Sequence, residues 1–290
     1  MALSNYQFSW SPSWLSSPFV FGGAGSPWQI IDLDGLEGLP DLRTQDSERG
    51  YNDGMFSGRD FYSGRTLTFT IYTFASQTAS AQANFNTLQQ ALAPQQSGTS
   101  LLQFQLSPSD TPKRLYGRVR TRRTTIDPEY TFGYIRSQIT IYCPDPRYYD
   151  ETASTATLSP QSAVGRTYNR TYNLTYGLSS AANTVAVTNA GWASVGPQIT
   201  IVGPAVNPTI VNQTTNQSIT INGTLAATDT LVMDLDLKAV TLNGSSARNL
   251  LAGNSQWFSV PPGTSNIYFN ATGVQYGSTL ATITYRSAYV

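Results

Sequence analysis

Ser63-Gly64-Arg65-Thr66-Leu67-Thr68-Phe69-Thr70-Ile71-Tyr72-Thr73-Phe74 is the stretch that decides the fold. Leu67, Phe69 and Ile71 fall on one side and Thr66, Thr68, Thr70 and Tyr72 on the other, the period of two of a half-buried strand. Immediately downstream the period becomes helical. Over about Thr78 to Leu92, Ala81, Phe85, Leu88 and Leu92 recur at three- and four-residue spacing, and Pro94 stands just beyond the end. Such a helix is expected to pack on a sheet. Strand patterns return at Leu101 to Leu106, Arg114 to Arg122 and Tyr134 to Cys143, the last with Ile135, Ile139 and Ile141 on a shared face. Cys143-Pro144-Asp145-Pro146 then stops strand and helix alike, because proline removes a donor and fixes φ.

The pattern changes after a Ser/Thr-rich bridge from Glu151 to about Gln161. Short alternating runs follow at Thr184 to Thr188, Gln198 to Val202, Ser218 to Ile221, Thr230 to Val240, Ile267 to Asn270 and Leu280 to Tyr285, separated by Gly, Asn and Pro. Strands this short, without a helical period, predict an antiparallel β-sandwich. Asn243-Gly244 and Asn222-Gly223 are type I′ hairpin signals, since both central residues of that turn need positive φ. The chain therefore reads as mainly β in two domains, 1–150 with one helix and 151–290 a sandwich.

Composition narrows the function. Charged residues are only 12% of the chain, against roughly a quarter in ordinary soluble domains, so surfaces are expected to rest on neutral polar groups or on other subunits. Seventeen basic and 17 acidic residues give a net charge of +0, which offers no overall field for nucleic acid or an acidic membrane. No apolar run approaches a bilayer span and no secretory leader pattern is visible, so synthesis in a cytoplasm and no membrane insertion are expected. Cys143 is alone, which leaves no intramolecular disulfide or thiolate cluster. Histidine is absent, removing Ser-His-Asp and Cys-His nucleophiles and His-ligated zinc. Phosphate-binding and dinucleotide-binding glycine loops are absent too, and no cofactor is expected.

The remaining constellations carry competing readings. Asp234 and Asp236 at i, i+2 spacing would share a strand face and could serve glycoside hydrolysis, or simply be the solvated side of the Met233, Leu235, Leu237 strand. Asp127 and Glu129 flank Pro128 in a turn, and Asp32 with Asp34 could touch calcium but lack a regular oxygen series. Asp32, Asp34, Glu37, Asp41, Asp46, Glu48, Asp53 and Asp60 crowd one segment, while Lys113, Arg114, Arg118, Arg120, Arg122 and Arg123 crowd another. On a regular strand Arg118, Arg120 and Arg122 point the same way, as a phosphate-binding stripe, a locally paired face or a contact between subunits. Trp192 and Trp257 suit either a saccharide-stacking platform or a core. Seven Asn-x-Ser/Thr sequons, Asn173 and Asn222 among them, are read as composition rather than glycosylation.

Taken in order, the segments resemble the distal tail proteins of long-tailed, siphovirus-type bacteriophages. The resemblance is carried by Asp34-Gly35-Leu36-Glu37-Gly38-Leu39-Pro40, Tyr51-Asn52-Asp53-Gly54, Phe61-Tyr62-Ser63-Gly64-Arg65 and Asp145-Pro146-Arg147-Tyr148-Tyr149. In the second half it is carried by Asn189-Ala190-Gly191, Pro197 to Ile201 with Gly203, Asp229 to Asp234 through Asn243-Gly244, and Pro262-Gly263-Thr264-Ser265-Asn266. It implies a structural, non-enzymatic virion subunit at the distal end of the tail, made in the bacterial host. Its amino-terminal, belt-type domains would form a homohexameric ring between the tail tube protein and the tail hub or tail-fibre protein of the host-adsorption baseplate. Its carboxyl-terminal sandwiches would be galectin-like. Within that implication Asp46, Glu48 and Asp53 are expected to meet Arg118, Arg120 and Arg122 across copies, and a host-surface saccharide is the alternative ligand, at Trp192 and Trp257. Met1 to Trp28, with Trp10, Trp14 and Trp28, lies outside the resemblance and is expected to be an arm docking on a neighbour.

Overall fold

The computed structural model describes residues 3–74, 78–160, 183–275 and 278–290, with backbone alone for 78–81. The chain divides into two compact units, Met1–Glu151 with Val290 and Thr152–Tyr289. The first is built on one antiparallel sheet. Its strands run in the order Phe19–Gly22, Gln7–Ser11, Ser100–Gln105, Lys113–Thr125, Tyr134–Cys143, Arg65–Phe74, Trp28–Asp34, and Tyr148–Asp150 adds to Lys113–Thr125. Arg65–Phe74 behaves as its alternation requires, with Leu67, Phe69 and Ile71 fully buried. Phe69 meets Phe8 and Phe21 edge-on at 5.1 and 5.2 Å, a preferred aromatic geometry at the centre of the core.

The amino-terminal stretch is part of this core and not an arm. Gln7–Ser11 and Phe19–Gly22 are sheet strands, and Trp10 and Trp28 are buried. A free arm would leave two indoles in water; packing them removes apolar area at about 25 cal/mol per Å2. Trp10 and Trp14 also act on the helix Thr78–Ala91. The last carbonyls of a helix have no partner within it, and here three side chains supply donors. Arg122 Nη1 donates to Gln89 O at 2.9 Å, Trp14 Nε1 to Gln90 O at 2.9 Å and Trp10 Nε1 to Ala91 O at 3.2 Å. Leu88, Ala91 and Leu92 are buried beneath them. A second, single-turn helix, Pro128–Thr131, stands where the sequence suggests a turn; Asp127 caps it by accepting the Tyr130 N–H.

Two short ladders form a protruding hairpin. Leu42 pairs with Tyr62 and Arg43 with Phe61, then Ser47 with Phe56 and Glu48 with Met55. Its root is clamped by Arg65, only 2% exposed. Arg65 Nη1 donates to the carbonyls of Gly35, Leu36 and Gly38, and Nε to that of Pro146. Gly35 takes φ +86°, and a Cβ there would run into the Thr66 carbonyl.

The second unit contains two antiparallel sheets. One orders Ser154–Leu158, Leu280–Tyr285, Gln198–Val202, Thr230–Asp234, Ala239–Leu242 and Ser245–Ser246; the other orders Thr184–Asn189, Gly263–Thr272, Ala205–Asn212 and Gln217–Thr220, with Thr224–Leu225 also on Ala205–Asn212. Alternate residues such as Ile199, Ile201, Leu231, Met233, Ile210, Ile267, Phe269 and Ile283 make its core. Several readings are corrected here. The bridge after Glu151 holds the strand Ser154–Leu158, whose Leu158 is buried. Thr230 to Val240 is two strands joined by a turn. Ala205–Asn212 is a strand despite Pro208, because a bulge between Val206 and Thr209 accommodates the missing donor, with Asn207 at φ 48°. Asn222-Gly223 is no type I′ turn, since neither residue has positive φ; it pairs with that bulge, Asn207 Oδ1 accepting the Gly223 N–H. Asn243-Gly244 does turn as expected, at φ 50° and 81°. The sequon at Asn173 lies outside the described residues.

Two outcomes follow from the clamp and the helix donors. Arg65→Met leaves four carbonyls without their charged donor and is expected to destabilise the first unit by about 3 kcal/mol, read as a lowered melting transition with that of the second unit unmoved. Arg122→Ala removes one helix-end donor and is expected to cost about 1 kcal/mol, measured by urea unfolding.

Candidate subunit interface

The sheet of the first unit has an outer face opposite its core. Thr66, Thr68, Thr70 and Tyr72 of Arg65–Phe74 stand beside Tyr142, Thr140, Gln138 and Arg136 of the next strand. Lys113–Thr125 follows, and the placement of its arginines departs from expectation. A register shift between Val119 and Thr121 gives this strand one extra residue, Arg120, so the faces exchange beyond it. Before the bulge Arg118 lies opposite Tyr142 on the outer face; after it Arg122 lies opposite the buried Ile139 and Arg123 opposite Gln138. Arg118, Arg120 and Arg122 thus do not share a face. Arg122 turns to the helix, while the outer row consists of Arg118, Arg123 and Arg136, with Arg120 over the Tyr142 ring at 5.1 Å.

The order along the row is fixed by pairing. Arg118 lies level with Tyr142 and so with Thr66, Arg123 with Gln138 and Thr70, and Arg136 with Tyr72. Among the described residues none of these arginines forms an ion pair, and the Arg118 Nε is buried with no hydrogen-bond partner. The basic residues before the bulge behave differently. Lys113 Nζ is 2.6 Å from Asp150, and Arg114 grips Glu151 with two nitrogens, a fork-to-fork pair that raises the guanidinium pKa. Part of the basic segment is therefore consumed inside the protomer and the arginine row is not.

The acidic candidates stand on the hairpin. Asp46 Oδ1 accepts the Gly58 N–H at 2.7 Å, Glu48 lies on the inner ladder and Asp53 in the tip turn, all exposed. Between them the hairpin exposes Leu42, Tyr51, Met55, Phe56, Phe61 and Tyr62. Three of its arginines cover rings rather than carboxylates: Arg43 and Arg59 over Phe61 at 5.7 and 5.4 Å, Arg49 over Phe56 at 5.1 Å. Asp46, Glu48 and Asp53 form no ion pair among the described residues.

The other candidates separate. Asp234 Oδ1 accepts the N–H groups of Asp236 and Leu237 in the turn between Thr230–Asp234 and Ala239–Leu242, so Asp234 ends its strand while Asp236 lies in the turn, and the two are not neighbours on one strand face. Asp32 and Asp34 are exposed on the edge strand opposite Thr70 and Thr68, and among the described residues no three His, Cys, Asp or Glu side chains gather. Trp192 is 63% exposed and braced edge-on by Tyr289 at 4.7 Å, whereas Trp257 is half-buried. The bulge alone puts Arg123 on the outer face beside Arg136, and the alternation of the sequence does not show it.

Residues 190–289 match the family model described as siphovirus-type tail component, C-terminal domain. No curated protein sequence matches the chain. Among solved structures it is similar to Dit of phage SPP1, described as a paradigm of the hub adsorption apparatus in phages infecting Gram-positive bacteria, with 15% identity over 89% of this chain and 93% of that one and a TM-score of 0.62. It is also similar to a chain of the phage P2 baseplate in its activated conformation, with Ca at 8% identity, 98% and 99% coverage and TM-score 0.52, and with Sr at 9%, 98% and 99% and 0.50. The second unit thus carries a siphovirus-type tail component domain over residues 190–289, and the chain shares the fold of Dit of phage SPP1 over most of its length.

Proposed function

We infer that this tail component is a non-enzymatic building block that closes with five copies of itself into a ring, joining the tail tube protein to the hub or tail-fibre protein at the distal end of the virion. One observation carries the reading. A single domain displays an exposed acidic hairpin and an arginine row, half-buried at Arg118 and exposed at Arg120, Arg123 and Arg136, both without ionic partners in the protomer among the described residues. Closed rings use two different patches on each subunit, each patch meeting the other on the next copy. Single exposed ion pairs contribute only about 0–1 kcal/mol, so the charges set register and rate of encounter while apolar area supplies affinity. The absence of histidine and the engagement of Asp234 in its turn favour a role in which nothing is turned over.

A second reading, recognition of a host-surface saccharide, is favoured by Trp192, whose indole is exposed and held by Tyr289 rather than packed into the core. Aromatic faces laid open in this way stack on the apolar sides of sugar rings.

Each reading has its measurement. Light scattering of the purified chain at micromolar concentration and physiological salt is expected to give a hexamer mass. Arg120→Glu with Arg123→Glu, both on the exposed row, is expected to weaken assembly at least tenfold while shifting melting of the protomer by no more than about 0.5 kcal/mol; a monodisperse monomer for the unaltered chain overturns the ring. For the saccharide, calorimetric binding to host wall polysaccharide is expected to vanish in Trp192→Ala with the fold intact, and absence of binding by the unaltered chain dismisses it.

A further inference from the structure

At the far end of the arginine row the outer face opens into a cleft of about 440 Å3. Ile31, Tyr72, Phe132 and Tyr134 line it, and Asp127, Glu129 and Arg136 ring its mouth. The single-turn helix builds the acidic side: Asp127 is held by its capping bond, and Glu129 sits in the first turn facing solvent. The chain reverses at Gly133, φ 88°, which leaves Phe132 73% exposed. Tyr134 rests on Phe74 with ring centres 4.5 Å apart. An open aromatic cleft of this kind marks a contact surface rather than a finished protomer.

The hairpin tip is its counterpart. Tyr51, Met55 and Phe56 are exposed, Arg49 lies over Phe56, and Asp46 and Glu48 stand just behind. We propose that the hairpin of one copy lies along the arginine row of the next and seats its tip in this cleft, Met55 and Phe56 against Tyr72, Phe132 and Tyr134, with Arg49 toward Glu129. The inference rests on the ring reading and names the contact that closes it. Charges of both signs face their opposites: the tip's Arg49 and Asp53 meet Glu129 and Arg136 at the mouth, and Asp46 and Glu48 behind them meet Arg123. Position agrees as well. The hairpin root is clamped at Arg65 and the cleft lies by Phe74, the two ends of one strand of 10 residues. At about 3.3 Å per residue those ends are roughly 30 Å apart, so knob and socket sit at opposite ends of the sheet, the arrangement a head-to-tail contact needs. The hairpin, Asp41 to Tyr51 on its outgoing side, has the same reach, enough to span the row from Arg118 to Arg136.

Paired cysteines test the contact. Phe56→Cys with Phe132→Cys places one new thiol on each surface, and the native Cys143 does not compete, since burial pushes its thiol up to about 12. Mild oxidation followed by a non-reducing denaturing gel is expected to give a ladder of linked chains. Arg49→Glu is expected to weaken assembly at least tenfold, and adding Glu129→Arg to recover most of it, an outcome that a loss of folding would not produce. A wild-type ring that yields only unlinked or internally linked monomers, or that persists unchanged in Arg49→Glu, overturns this contact and leaves the ring standing. A tip variant that keeps the ring but loses binding to tail tube or hub protein overturns it in favour of those partners. A wild-type chain that forms no ring overturns both readings together.

Discussion

The Arg65 guanidinium is the interaction on which the first unit turns. Burying a charge is costly unless its donors are used, and Arg65 spends its Nη1 and Nε on four main-chain carbonyls from two loops remote in sequence while its plane lies 5.9 Å from the Tyr148 ring. Burial lowers its pKa; a guanidinium is nevertheless effectively always protonated in proteins. Gly35 lets its loop press against the Thr66 carbonyl next to it, and the Pro146 carbonyl brings in the loop that closes the sheet. Because Arg65 also starts the strand that centres the core, the hairpin springs from a buried, hydrogen-bonded root. It is presented in a fixed direction, which a docking element requires and a loose loop could not supply.

One inserted residue decides what the basic strand presents. Without the bulge at Arg120, the side chains of Arg118, Arg120 and Arg122 would keep one face and Arg123 the other, and the helix end would lose its Arg122 donor. With it, the strand divides its cations between a structural task under the helix and an outer row that joins Arg136 of the neighbouring strand. Bulges raise local twist and redirect side chains, and here the redirection produces both the helix clasp and the approach to the aromatic cleft.

Strong local periodicity made much of the fold legible. Leu67, Phe69 and Ile71 announced their strand, Leu88 and Leu92 their helix, and Asn243-Gly244 its turn, because in each case local geometry and burial ask for the same residues. Where tertiary structure overrode local preference the sequence misled. Phe8 and Trp10 lie in a strand whose Gln7 and Ser9 are also buried, so the polar half of the alternation faces protein instead of water. Pro208 reads as a breaker, and only the bulge beside it explains its tolerance. The acidic and basic segments were visible as clusters, yet charge counting could not tell Lys113 and Arg114, engaged with Asp150 and Glu151, from Arg123, which is not.

A chain with net charge of zero can still be strongly polar in the physical sense when its charges are segregated, and that distinction bears on how assembly is controlled. An acidic hairpin and an arginine row on one sheet give little long-range field, because charges farther apart than a Debye length of about 10 Å are screened, but they would orient copies that approach within it. Histidine is absent, so no imidazole changes charge between pH 5 and 8 to switch such a contact. In the proposed contact, ionic strength would then be the variable that acts on the encounter, while the apolar tip and cleft would hold what the charges align. The low overall charge is consistent with the proposed assembly: a subunit meeting copies of itself would gain more from neutral, hydrogen-bonding surface than from charges that each contact would have to desolvate.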